Sequence, residues 1–599
     1  MPDSKYERRS FLQKLANIKA KEEQDPLFKK YARKEGSGRR YSSYQRYLDK
    51  VDHPDEQQGT AERVGNVTSG LAPYTGGWTE WEVIHLLKRT SFGNRKTDIA
   101  ALSAMTTSAA VDTLTTINTT PTLPSSTPLN FYQSVVADPN IALGADWTTN
   151  NLNYSAATAT NDVSVNSNRN LSHNCWTWGL WLNEAPSIRE KMVNFWYHFI
   201  PVNYSEVANL VNNSATLQHD YIKLLRTNAL GNFKTLVKAI AKSPAMLVYL
   251  GNQYSTAAAP NENFARELLE LFTMGKVPTQ NYTEPDIQNA AKVFSGWRVN
   301  GGFSVAYPVN VGFNPTYHNQ TNKVFSTNFG PNAVINNIAG AGGAAEFDTF
   351  FDMLFLQQSS TIAKYLARRL YRFFVYYDID ANIETNVITP LAAAITSNNW
   401  DMLPVLRLLL KSEHFYDMAN RGVMIKNPFD MIAGVLNTLM VNTTPAAGAS
   451  QLYNQYKVWE QLHNQARNNM EQGLGLSPTV SGWKAYYQEP AFYQNWINAN
   501  TIQKRALFLT QLMNGLTVSG HLIKIDGIAF LQQFPATSVE SPGWVVDTFV
   551  RYLLSLDLPQ TFKDELKIQS LLTGQITDNY WTTAWTNFVN NPTMANRTT

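Results

Sequence analysis

One cysteine, Cys175, is all that the 599 residues contain, which excludes an intrachain disulfide framework and any cysteine-based zinc cluster. Set within Cys175-Trp176-Thr177-Trp178-Gly179-Leu180-Trp181, it reads as a buried, inert thiol. No run of about 18 apolar residues occurs, so no transmembrane span is expected. Motifs with a known mechanism are missing as well. There is no HExxH, no histidine spacing that by itself announces a metal, and no Gly-x-Ser-x-Gly. Gly340-Ala341-Gly342-Gly343 lacks the Lys-Ser/Thr of a phosphate loop. Arg8-Arg9-Ser10-Phe11-Leu12 resembles a twin-arginine export motif, but the chain continues Leu15-Ala16-Asn17-Ile18-Lys19 without the apolar core of about 7 to 15 residues that a signal peptide needs. A cytoplasmic location and export without a cleavable signal peptide are the two alternatives left.

What is present is apolar and aromatic: 44% hydrophobic residues, with 15 Trp, 28 Tyr and 29 Phe, enough for extensive cores and for an aromatic-lined cleft. The length exceeds one ordinary core. Net charge is +3, yet residues 1–50 hold fourteen Lys/Arg against seven Asp/Glu, so the remainder carries −4. The basicity belongs to the tail, and nothing beyond it resembles a basic groove with interleaved aromatics, so no nucleic acid is expected.

Residues 1–73 read as a basic, polar extension. A helical body is expected over 74–520, opening where Thr79 caps a helix with Val83, Ile84, Leu86 and Leu87 on one face. Within it, the Thr/Ser/Asn-rich stretch 106–170 reads as a long loop or insertion, and the Gly/Asn-rich stretch 300–345 as a loop or small hairpin. Helical periods fill 184–200, 207–230, 232–250, 261–275 and 284–297, resume from 346, and continue through a C-terminal segment at 521–599. No repeat of fixed period is found. The class is mainly α: a large non-solenoid multi-helix domain with long loops and at most a small β excursion.

The densest chemistry lies on one helix. Pro260-Asn261-Glu262-Asn263-Phe264-Ala265-Arg266-Glu267-Leu268-Leu269-Glu270-Leu271-Phe272 places Asn263, Arg266, Glu267 and Glu270 on one face, with Phe264, Leu268 and Leu271 opposite. Any amphipathic surface helix with an i,i+4 Arg266–Glu270 pair would look similar. Against that bland reading, Glu267 and Glu270 repel each other unless Arg266 or a bound cation lies between them. Read as a site, Glu267 and Glu270 serve as general acid/base or hard-cation ligands, with Arg266 and Asn263 holding them. Glu262, Glu284, Asp286, Trp297, His318 and Lys323 come from the flanking turn and following segments. His198, among Phe195, Trp196, Tyr197 and Phe199, reads as a core histidine.

Together with Thr273-Met274-Gly275, Tyr282-Thr283-Glu284-Pro285-Asp286 and Ser295-Gly296-Trp297, the acidic helix resembles the bacterial domain of unknown function 1800 family. Further blocks agree: His85-Leu86-Leu87-Lys88-Arg89-Thr90-Ser91-Phe92-Gly93, Arg189-Glu190-Lys191-Met192 with Phe195-Trp196, Gly231-Asn232-Phe233, and Gly482-Trp483 with Trp496-Ile497 and Arg505. The family has no assigned reaction. The resemblance implies, as a partner, a phosphatase- or sulfatase-like protein of the domain of unknown function 1501 family, often encoded beside it. Two departures stand out. The family's Phe-Trp-His-Asn-His-Phe is here Phe195-Trp196-Tyr197-His198-Phe199, and its loop His-Asp pair is here His318-Asn319. A metal site of the family would lack ligands in this chain.

Two functional readings follow. One is a helical scaffold or assembly subunit, homo- or hetero-oligomeric, in which the acidic helix is a structural polar network. The other is a hydrolase or lyase acting on a polar polymer or glycan through paired carboxylates. No cofactor motif is evident, and a divalent cation is the one cofactor those carboxylates would accept.

Overall fold

A computed structural model describes residues 67–122, 124–150, 159–276, 280–301, 307–487, 489 and 492–598. The basic extension expected over 1–73 lies outside the described residues as far as residue 66. Helix makes up 58% and strand 4%, in a mainly α body with neither barrel nor solenoid among the described residues. Among the described residues no helix is long and apolar enough to cross a membrane.

The body opens on α1 (Glu80–Thr90), where Thr79 and Glu82 form a reciprocal capping box and Val83, Ile84, Leu86 and Leu87 are buried. After two short helices, Lys96–Ser103 and Thr107–Thr115, the second of them inside the stretch read as a loop, the long helices α2 (Ala159–Asn183), α3 (Arg189–Phe199) and α4 (Ser214–Thr227) follow. The acidic segment starts as α5 (Glu262–Glu267), capped by Asn261, and continues over Leu268–Thr273 with π geometry, a widening that periodicity does not reveal. Then α6 (Glu284–Phe294), capped by Thr283 with Asp286, leads to a short hairpin of β1 (Trp297–Val299) and β2 (Val311–Phe313), with Trp297 opposite Phe313. A second hairpin pairs β3 (Lys323–Val324) with β4 (Val334–Ile335), so the described residues from 307 to 345 form a small β excursion. After it come α7 (Ala345–Gln357) and α8 (Ser359–Phe374), broken at Gln358, then α9 (Pro428–Thr438) and α10 (Gln451–Asn464). A third hairpin, Leu516–Val518 with His521–Ile523, was not anticipated from sequence.

Two hydrophobic cores underlie this order. The larger is built on α1, α3, α4, α7 and α8. The smaller joins α2, α9 and α10 through Trp176, Trp178, Trp181, Phe429, Tyr456 and Trp459, with Phe92 stacked on Trp181 at 4.4 Å. Part of α2 falls in the Thr/Ser/Asn-rich stretch read as a loop. Its weak helix formers are held by tertiary bonds instead: Asn166 Nδ2 donates to Ser214 Oγ at 2.7 Å, and Arg169 Nε to Asp138 Oδ2 at 2.9 Å. Packing overrides propensity here.

Candidate functional site

The residues singled out from sequence fall into two separate groups. On α5, Arg266 grips Glu284 with both Nη atoms, at 2.8 and 2.7 Å, and reaches Glu262 at 3.3 Å and Glu270 at 3.6 Å. The Glu284 hydrogen bond holds the guanidinium above its ordinary range and the Glu284 carboxyl below its own. Glu270, buried, also pairs with Lys276. The cations that the like-charged pair needs are therefore side chains of the protein. Glu267 is half-buried and has no hydrogen bond or ion pair among the described residues; burial, then the Glu270 charge, pushes its carboxyl up. Asn263 is exposed.

The second group is enclosed. His318, Lys323 and Glu346 have fully buried side chains. Lys323 Nζ donates to Glu346 Oε2 at 2.5 Å and to the Asn319 carbonyl at 2.8 Å, while Ile338 N–H donates to Glu346 Oε1 at 2.9 Å. His318 Nδ1 donates to the Ser295 carbonyl at 2.9 Å, and its Nε2 lies 3.1 Å from Glu346 Oε2. Glu346, which sequence reading missed, is the centre. Asp286 is also structural: it closes the α6 cap and accepts from Ser326 N–H and Oγ at 2.6 and 2.8 Å. Trp297 lies half-buried on Phe313 and Phe347, with Lys242 Nζ 4.3 Å above its ring. No bond joins His318 to the α5 carboxylates among the described residues, and none of these groups gathers three His, Cys, Asp or Glu side chains for a metal.

A different set of residues converges where the two cores meet. Lys88 and Arg89 on α1, Lys191 on α3, and Lys426 just before α9 surround a small recess of about 60 Å³, together with His85, Asp430, Asn427, Tyr486, Phe373, Trp496 and Ser555. Helical spacing creates part of it, since His85, Lys88 and Arg89 at i, i+3 and i+4 share one face of α1. Lys191 is 3% exposed, sits 4.5 Å over the Phe92 ring of the smaller core, and pairs with Asp430.

Two glycines shape the walls. At Gly422 (φ +66°) a Cβ would lie 3.2 Å from Leu556 Cγ, so the loop before Lys426 runs close under the 555–556 segment. At Gly482 (φ +88°) a Cβ would lie 2.4 Å from the His198 carbonyl oxygen; this lets Trp483 meet His198 edge-on at 4.8 Å, with Tyr486 4.3 Å from the same imidazole.

Charge in this recess is unbalanced. Four basic side chains line it against one carboxylate, Asp430, which Lys191 already engages. The Lys426 ammonium makes no hydrogen bond or ion pair among the described residues, and burial lowers it to about 8, with Asp430 opposing and Lys191 and Arg89 adding to the fall. Lys88 meets only the Leu554 carbonyl, at 2.6 Å, and burial with the Lys426 charge lowers it to about 6. Burial likewise lowers Arg89 to about 10 while its Nη2 donates to the Val375 carbonyl at 3.0 Å. Lys191 is lowered by burial against Asp430. His85, pushed well down by burial and then by Arg89, is neutral; its Nε2 donates to the Phe415 carbonyl at 3.0 Å, which leaves Nδ1 unprotonated. At an effective dielectric of about 20, two unit charges about 6 Å apart repel by about 3 kcal/mol, so such a group is costly until an anion enters.

Sequence reading missed this recess because its cations lie at 88–89, 191 and 426, each unremarkable alone. The signal was Lys191, charged yet set among Met192, Phe195 and Trp196, and the presence of His85, Lys88, Arg89, Lys191 and Trp496 in three of the blocks that carry the family resemblance. No curated protein and no solved structure matches the chain. The family model described as "Protein of unknown function (DUF1800)" matches residues 85–595, and the chain belongs to that family.

Proposed function

We propose that this protein captures an anionic ligand, a phosphate, sulfate or carboxylate compound, in the cleft between Lys88, Arg89, Lys191 and Lys426, and works as a ligand- and partner-binding helical protein. The observation that carries the reading is the excess of cations over carboxylates in a recess that is half closed by aromatic walls. Lys426, partly buried and without a carboxylate within ion-pair distance among the described residues, is a charge that an anion in the cleft would match. A phosphatase- or sulfatase-like partner of the domain of unknown function 1501 family belongs to the same proposal, because such a protein handles esters of the anions that this cleft suits. Thermal denaturation against sulfate and citrate tests the reading: Tm rises with either anion in the native protein, and Lys426→Met and Arg89→Gln abolish most of the rise. Equal stabilisation of all three proteins, or none in the native one, would overturn it.

A second reading rests on Glu267. A half-buried carboxyl with a raised pKa and no partner meets the condition for a general acid in a hydrolase or lyase acting on a polar polymer or glycan. Its intended companion, Glu270, is instead held by Arg266 and Lys276. Loss of glycan or polymer cleavage in a folded Glu267→Gln variant is the result this reading needs, and unchanged cleavage ends it.

A further inference from the structure

The cationic recess is too small for most ligands, and its edge is apolar. Its volume of about 60 Å³ takes about four or five groups the size of a water, since each needs about 10–15 Å³. That is room for a carboxylate, sulfate or phosphate head, so the rest of any ligand lies over the edge. There Met424 and Ile425, both partly exposed, line the recess, and Gly422 of the same loop lies against Leu556. We propose that the ligand is a single-chain anionic amphiphile, an alkyl carboxylate, sulfate or phosphate, whose head enters the recess and whose chain lies on these residues. This rests on the anion-binding reading and names the class of ligand.

The fold builds this edge from two segments. The helix Pro542–Leu553 stops at Leu554, whose carbonyl accepts from Lys88 Nζ at 2.6 Å, so the chain leaving that helix is pinned beside the recess. Ser555 lines the recess, and around it Leu553, Leu554 and Leu556 are 41, 41 and 40% exposed. Gly422, with φ +66° and no Cβ, lets the 422–426 loop close against Leu556. Phe373, Tyr486 and Trp496 carry the apolar lining inward towards the basic side chains. Exposed leucines grouped at the mouth of a basic recess mark an interaction site, and they match hydrocarbon as the recess matches an anion.

A free chain suits this geometry better than a membrane surface or a peptide does. Anionic bilayers are met by exposed basic clusters, whereas Lys191 is buried and Lys88, Arg89 and Lys426 are partly so; a single chain delivers its head end-on. A peptide would bring backbone N–H and C=O groups that need partners, yet the Leu554 carbonyl is taken by Lys88 and the side chains of Met424, Ile425, Leu554 and Leu556 carry no hydrogen-bonding N or O. An alkyl chain needs none. Each methylene that such a surface removes from water raises affinity by up to about fourfold.

The test is calorimetry of the full-length protein with two series of monomeric probes, acetate, butanoate, hexanoate and octanoate, and methyl, butyl and octyl sulfate. The expected result, in the series whose head fits, is affinity rising about two- to fourfold per methylene. Octanamide and octanol, of equal length but uncharged, bind at least about tenfold more weakly. Leu556→Asn lowers the ratio of long-chain to short-chain affinity by at least about threefold. Should Leu556→Asn fail to fold, the chain-length series and the uncharged probes decide alone. Affinity flat with chain length in both series, while sulfate still raises Tm, overturns the amphiphile and leaves the anion cleft standing. Uncharged probes as tight as charged ones, or binding to phosphatidylglycerol vesicles without binding to octanoate or octyl sulfate, likewise overturn it. No response to sulfate or to any probe overturns both readings.

Discussion

Around Glu346, an enclosed lysine and histidine converge on one carboxylate whose other oxygen takes a backbone N–H; around Asp430, four basic side chains share a solvent-open recess with a single acid. Both regions bury charge, and burial costs several kcal/mol per ion unless partners replace the lost water. In the first, the protein supplies those partners itself, and the hairpin β3–β4 is thereby tied to α7 by Lys323 and Glu346. In the second it leaves cations unmatched. Matched burial fixes a fold, whereas unmatched burial in an accessible recess is a demand for something from outside.

The sharpest way to break this comparison is Glu346→Gln. It strands Lys323 and His318 in a buried interior, and urea denaturation should show a loss of about 3–5 kcal/mol. Pairing Glu346→Leu with Lys323→Met removes both charges and should recover most of that loss. A single variant within about 1 kcal/mol of the native protein would show that the enclosed group does not hold the β excursion in place.

Lys426→Met should behave in the opposite sense. Deleting an unmatched cation leaves stability unchanged or raises it by about 1 kcal/mol, while sulfate affinity, followed by calorimetry, falls about tenfold for the one charge-assisted hydrogen bond removed. A variant that loses stability as Glu346→Gln does would erase the distinction between the two regions.

How much of this was readable beforehand differs between the regions for a physical reason. The acidic helix was legible down to its Asn261 cap and its Arg266-centred face, because helical periodicity and i,i+4 pairing are local. Its π turn was not, since Leu268–Thr273 carries the same apolar spacing in either geometry. Gly and Asn marked 300–345 as a loop or small hairpin without fixing its strands, while α2 was hidden by its Asn and Ser residues, which tertiary hydrogen bonds hold in a helix. His318 and Lys323 were visible as candidates, but Glu346 is 23 residues beyond Lys323 and looked like any first-turn acid of a helix. The cleft was the least legible, being assembled from three distant parts of the chain. No local pattern announces that a Lys at 191 and a Lys at 426 will face one another across Asp430.

A pH series sharpens the same contrast. Lys426 and Lys88 titrate near 8 and 6 in the folded protein, below the 10.5 of an exposed lysine. Between those values and 10.5 the unfolded chain binds more protons than the folded one, so these two groups make stability rise with pH across that window. An anion in the cleft favours the charged ammonium and reverses the preference. Facing Lys426 are Lys88, Arg89, Lys191 and Asp430, with His85 neutral, so Lys426 and Lys88 are the groups that gain protons on binding near neutrality. Sulfate should bind more tightly as pH falls from about 9 to about 6, by up to about tenfold per proton and pH unit. Calorimetry in two buffers of different ionisation heat should register proton uptake. Binding that is flat with pH would mean that these ammonium groups are already charged and matched.

The smallest effect is expected where the sequence looked richest. Arg266→Gln deletes the hub of Glu262, Glu270 and Glu284, yet Glu284 is exposed and Lys276 still pairs with Glu270. Water and salt screen what remains. The variant should shift Tm by about 1 °C or less, and that shift should vanish in 1 M salt, where the Debye length falls to about 3 Å. The anion response of the cleft should be untouched. A large, salt-resistant loss would place the acidic helix with the Glu346 group as a buried structural network. A change in sulfate binding would couple it to the cleft, an outcome that would dissolve the comparison between matched and unmatched charge altogether.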